Sequence, residues 1–215
     1  MKICEKIAKE LKLTEEKIRL AVLIGLLHDI GRFEQYTIYE TFSDKLSVDH
    51  ADLGEKILDN NNFIRDFIID DKYDKIIKCA IRNHNKYEIQ KEIDEQELLY
   101  AKIIRDADKI DILYETAEGM VLSENERNKI ENSSISFEYF EQFKRKKKII
   151  KDGNETCLDK LILTVALVFD INFDYSKDMI IKEKYISKIL NKYDIKQIDE
   201  KRKMNEIKSI ITAFM

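Results

Sequence analysis

His28 and Asp29 stand side by side at the end of an apolar run, Leu20-Ala-Val-Leu-Ile-Gly-Leu-Leu27. A carboxylate taken out of water is costly unless it is paired, so Asp29 needs a cation, a hydrogen-bond network or a metal. Neighbouring helical residues point about 100° apart, yet near a helix end an imidazole and a carboxylate can converge on one ion. That donor pair accepts manganese, iron, zinc, magnesium, nickel or cobalt without distinguishing among them. The sequence has only three histidines, His28, His50 and His84. A lone histidine is more often a hydrogen-bonded core or surface residue, but three of them with aspartates nearby weigh towards a shared site. A fourth element, Ile103 to Asp111, sets several carboxylates in an apolar helix. Asp106 and Asp108 point to nearly opposite faces of it, so one of the two is expected as a direct ligand.

These side chains must be positioned by helices. Proline is absent and glycine occurs five times in 215 residues, so the residues that most often break helices are nearly missing. The expected fold is all-α. Apolar spacing predicts a short helix over 2–11 and a buried central helix from Thr14 to Arg32, with Thr14 as N-cap. Phe33 to Lys45 shows no period and reads as a loop, followed by helices near 47–60, 72–84 and 95–118. The last of these opens on Asp94 and Glu97, an aspartate form of the capping box. Ser123 to Glu126 is a second box, and apolar helices follow near 136–144, 157–172, 178–191 and 198–214. The length suits one domain, with a core over 1–118 and a helical extension over 119–215 packed on it.

Charge excludes some partners. With 38 basic and 42 acidic residues the net charge is −4, which offers no electrostatic footprint for duplex nucleic acid. The run Lys144 to Lys148 reads as a solvated helix end. No segment has the length and apolarity of a membrane span or a signal peptide, so a cytoplasmic protein is expected. Cys4, Cys79 and Cys157 form no CxxC pair and read as reduced thiols.

The segment Leu26-Leu27-His28-Asp29-Ile30-Gly31 resembles the signature of the HD-domain metal-dependent phosphohydrolases, a family named for its His-Asp doublet. The resemblance covers about residues 1–115 and implies a helical bundle that binds a divalent metal. It implies His28 and Asp29 as ligands. It also implies a distal aspartate, for which Ala107-Asp108-Lys109-Ile110-Asp111 points to Asp108, leaving Asp106 as an alternative or supporting residue. Asp49-His50-Ala-Asp-Leu-Gly54 and Ile81-Arg-Asn-His84-Asn85 are similar to elements of the HD-GYP branch, in which further histidines hold a second metal. Asn85 stands where that branch has a second histidine, and no GYP segment follows.

The family's first histidine has no counterpart, because no histidine precedes His28. The expectation is that a piece carrying it lies upstream of Met1; the alternative is a lost ligand and a catalytically inactive binding or interaction module. The implied reaction is hydrolysis of a small phosphate ester or nucleotide. In it Asp29 would handle the attacking water, His50 and His84 would stabilise the phosphate or bind metal, and Arg32 would hold a phosphate oxygen through its donor fork.

Overall fold

The computed structural model describes residues 1–119 and 122–215. The chain is all-α, with no strand among the described residues. It divides into two compact units, Met1–Asp108 and Lys109–Met215.

The first unit contains α1 (Lys2–Glu10), α2 (Glu15–Leu27), α3 (Ile30–Tyr39), α4 (His50–Asn60), α5 (Asp74–Asn83) and the start of α6 (Glu95–Tyr114). Helix α1 packs on α2, α2 on α5, α3 on α4, and α4 on α5. Cys4, Ile7, Ala8, Leu20, Ala21, Ile24, Ile77, Ala80, Ile81, Ile103 and Ile104 form its core. Thr14 takes the N-cap position of α2 in an extended conformation, although its hydroxyl makes no cap bond. Asp94 and Glu97 form the expected reciprocal cap of α6: the Glu97 amide donates to Asp94 Oδ1 at 2.9 Å and the Asp94 amide to Glu97 Oε2 at 2.8 Å.

The helix expected from Thr14 to Arg32 is not continuous. It ends at Leu27, and a new helix, α3, occupies most of the stretch expected to be a loop. The break falls on the doublet itself, where Asp29 leaves the helical region at φ −102° and ψ 15°. Only Gly31 and Gln35 of α3 are buried, and so narrow a buried stripe leaves no apolar period in the sequence. The bend lets α3 reach α4. A Cβ on Gly31 would overlap the carbonyl oxygen of His50 and lie 2.6 Å from the Gly54 amide nitrogen. Glycine is therefore the residue that allows these backbones to meet.

After α3 the chain reverses at Glu40, which has φ 53°, and folds back over 41–49. Gln35, completely buried, holds this return through its side-chain amide, which donates to Asp44 Oδ1 at 2.8 Å, the Val48 carbonyl at 2.9 Å and Ser47 Oγ at 3.0 Å. Asp49 then caps α4, accepting from the amides of Ala51 and Asp52.

The second unit holds α7 (Glu124–Glu131), α8 (Phe137–Lys144), α9 (Cys157–Val165), α10 (Asp174–Glu183), α11 (Tyr185–Asn191) and α12 (Ile198–Phe214). The capping box at Ser123 and Glu126 forms as expected. The helix expected over 178–191 is split by Lys184, whose φ of 57° stops α10 and starts α11. The one expected over 157–172 ends at Val165 and tightens into a 3-10 turn over Ala166–Asp170. Buried acids here serve backbone: Asp159 accepts from the amides of Ser136 and Thr156, and Glu200 from Ile135. Two members of the basic run meet acids nearby, Lys144 with Glu141 and Lys148 with Asp170. No helix among the described residues is long and apolar enough to cross a membrane.

Candidate metal centre

The three histidines meet in the first unit. His28 and His84 are the C-cap residues of α2 and α5, and His50 is the first residue of α4. His50 Nε2 lies 2.9 Å from His84 Nε2. Asp29 sits among them: its Oδ1 is 3.3 Å from His50 Nε2 and 3.6 Å from His84 Nε2, and its Oδ2 is 3.6 Å from His28 Nε2. From α6, Asp108 Oδ1 reaches to 3.7 Å from His28 Nε2. Asp106, two residues earlier, is buried completely.

Hydrogen-bond direction decides what this cluster wants. The other ring nitrogen of each histidine faces an oxygen that can only accept: His28 Nδ1 is 3.1 Å from the Gly25 carbonyl, His84 Nδ1 is 2.7 Å from the Ile81 carbonyl, and His50 Nδ1 is 2.8 Å from Asp44 Oδ2. Each Nδ1 therefore carries the proton, and in the neutral rings each Nε2 presents a lone pair. In that state three lone pairs and two carboxylates converge, and the donor beside them is Arg32 Nε, 3.4 Å from Asp29 Oδ1. Asp29 Oδ1 is buried and makes no hydrogen bond. That is the pattern of metal-binding histidines, whose outer N–H is tied to a carbonyl or carboxylate.

The spacing agrees. With metal–ligand bonds of about 2.1 Å, adjacent ligands in one coordination shell stand about 3.0–3.4 Å apart, and the separations here run from 2.9 to 3.7 Å. One ligand atom each from His28, Asp29 and His84 falls within 4.8 Å of the others, as do ligand atoms from Asp44, Asp49 and His50. The residues present fit a divalent cation.

Charge is arranged to keep Asp29 ionised. Burial pushes its carboxyl upward, but when the rings also carry a proton on Nε2, donation from His50 and His84 and the charge of His28 outweigh that and hold it far below the ordinary carboxylate range. Burial likewise works against a charged His28, yet Asp108 and Asp29 raise it above the usual imidazole value. The guanidinium of Arg32 lies with Nε 3.4 Å from Asp29 Oδ1 and donates from one terminal nitrogen to the Phe42 carbonyl at 2.8 Å. On the far side, Lys86 pairs with Asp49 at 2.6 Å and Asp52 at 2.8 Å. Burial opposes a charged Asp49, but Lys86 and Asn85 draw its carboxyl down to about 2.

The sequence that defines the HD domain matches residues 1–113. The chain belongs to the HD-domain family. No curated protein and no solved structure matches it. The HD doublet explains why the break between α2 and α3 falls at residues 28 and 29: the bend turns both side chains of the doublet towards α4, α5 and α6.

Sequence reasoning missed three residues that hold this HD site together. Gln35 and Asp44 fall in the stretch whose lack of period predicts a loop, and Arg105 falls in a predicted helix. Arg105, buried to 2 % exposure, donates to the carbonyls of Asn83 at 2.6 Å, Lys86 at 2.7 Å and His84 at 3.4 Å. It thereby fixes the end of α5 on which His84 stands. Nothing in the sequence sets Arg105 apart, because Ala101 to Ile110 also holds Lys102, Asp106, Asp108 and Lys109.

Proposed function

We propose that this chain is a metal-dependent phosphohydrolase acting on a small phosphate ester or nucleotide. The observation that carries the reading is the convergence of His50 and His84 Nε2 on Asp29 Oδ1 and of His28 Nε2 on Asp29 Oδ2, with Asp108 beside His28. A divalent metal bound there supplies Lewis acidity to a phosphoryl oxygen and a water that deprotonates near neutral pH. His28, Asp29 and Asp108 would hold it, as family membership implies. His50 and His84 join them as ligands rather than as donors to phosphate, because their protons are already committed at Nδ1.

The chain's own residues account for the rest. Asp29 can accept the proton of the attacking water through whichever carboxylate oxygen faces it. Arg32 lies beside that carboxylate and offers the remainder of its planar fork to a phosphate oxygen. Negative charge developing on phosphate thus meets fixed positive charge, with little reorganisation at the moment of reaction.

The test is metal analysis of the purified chain beside Asp29→Asn, together with phosphate release from 4-nitrophenyl phosphate and nucleoside monophosphates. Stoichiometric metal and turnover in the wild type, both lost in the variant, are expected. Metal without turnover would favour a binding module built on the HD fold, and no metal in either protein overturns the reading.

A further inference from the structure

Of the three histidines, His50 stands where a helix cannot help it. His28 and His84 end their helices, so the carbonyl three residues back, Gly25 or Ile81, is available to take the Nδ1 proton. His50 begins α4, and no turn precedes it to offer a carbonyl. Its Nδ1 instead meets both oxygens of Asp44, at 2.8 and 2.9 Å, from the loop six residues earlier.

We infer that Asp44 is the positioning residue of the metal centre: held by Gln35, it fixes the tautomer and direction of His50 so that Nε2 faces Asp29 and His84. The inference rests on the metal centre proposed above. A carboxylate suits this place, because the N-terminus of α4 carries partial positive charge. It is also immobilised before it meets the ring. Gln35 donates to its Oδ1 at 2.8 Å, Asn85 donates to its Oδ2 at 3.2 Å, and an Arg32 nitrogen lies 3.7 Å from Oδ1. Gln35 is completely buried and its amide holds the loop at three points, so the carboxylate cannot swing away to solvent without breaking that hub. His50 itself is 2 % exposed. A buried ring without a partner for Nδ1 would be free to shift its proton to Nε2, which would turn a ligand into a donor aimed at the cation.

The experiment uses the full chain and three variants, Asp44→Ala, Asp44→Asn and Gln35→Met. Two readouts are taken: ¹⁵N shifts of the His50 ring without metal, which report the tautomer directly, and Co²⁺ affinity from its visible absorption. Wild type should show the proton on Nδ1. Asp44→Ala should mix the tautomers and weaken Co²⁺ binding by roughly 10–100-fold. Asp44→Asn, which keeps an accepting oxygen, should retain the tautomer and most of the affinity. Gln35→Met should resemble Asp44→Ala although the carboxylate remains, because the anchor is gone. A His50 ring that keeps its Nδ1 proton in Asp44→Ala, or unchanged Co²⁺ affinity there, overturns the inference. If the wild type binds no Co²⁺, the metal centre is lost as a reading, and the ring tautomer still decides the role of Asp44.

Discussion

His50 Nε2 stands 2.9 Å from His84 Nε2, and each ring has already placed its Nδ1 proton on an oxygen, the Asp44 carboxylate or the Ile81 carbonyl. Two lone pairs do not rest at that distance unless a proton or a cation lies between them. The native arrangement of α4 and α5 is thus coupled to whatever positive charge fills the gap.

Divalent metal should therefore stabilise the folded chain. At 100 times its dissociation constant a ligand adds about 2.7 kcal/mol, and Mn²⁺, Co²⁺, Ni²⁺ or Zn²⁺ at saturating concentration should raise the melting temperature. His84→Ala should abolish the rise. Scanning fluorimetry across the metal series reads this, and identical curves with and without metal count against the site.

Gly31→Ala should damage both stability and metal binding. The added Cβ would overlap the His50 carbonyl and press on Gly54, and overpacking of this kind costs about 1–3 kcal/mol. Because α3 and α4 must separate to admit it, Asp29 also moves away from His50. Urea unfolding beside a metal titration gives the two effects; a variant of native stability would show that the contact gives way freely.

Arg105 holds the end of α5 through carbonyls, and removing it leaves those acceptors without their donor. Arg105→Met is expected to lose on the order of 1–3 kcal/mol together with metal affinity, through displacement of His84. Arg105→Lys should rescue only part of this: a single terminal nitrogen makes all three bonds, and an ammonium on a shorter stem must reach the same point to replace it. Denaturant melts and metal content of both variants check this, and full rescue by lysine would contradict it.

Cys79 gives a pH dependence with a definite sign. Burial, with Glu97 nearby, pushes its thiol up to about 11. Only the thiolate reacts with disulfide reagents, so between pH 8 and pH 10 labelling of the folded chain should rise about tenfold per pH unit, with no plateau near the ordinary cysteine value. A variant keeping Cys79 alone, Cys4→Ala with Cys157→Ala, isolates the signal. A plateau below pH 9 would show the thiol to be more accessible than this packing allows.

Much of this protein was legible in its residues. The absence of proline and the apolar spacing announced an all-α chain, and the Asp94–Glu97 and Ser123–Glu126 boxes marked helix starts because capping is a contact between near neighbours. The doublet declared itself for the same reason: a histidine and a carboxylate at the end of an apolar run are anomalous before any fold is known. Family membership through residues 1–113 follows from sequence too.

What sequence alone did not decide lies in contacts between distant residues. The break at Asp29 and the helix after it were hidden, because α3 buries little more than Gly31 and Gln35 and shows no apolar period. That Gly31 is needed depends on the His50 carbonyl, 19 positions along the chain. Asp44 read as one more polar loop residue until the fold set it behind a histidine that begins a helix. Local chemistry is written in neighbouring residues, whereas the direction of a ring and its tautomer depend on which distant oxygen the folded chain brings to its other nitrogen.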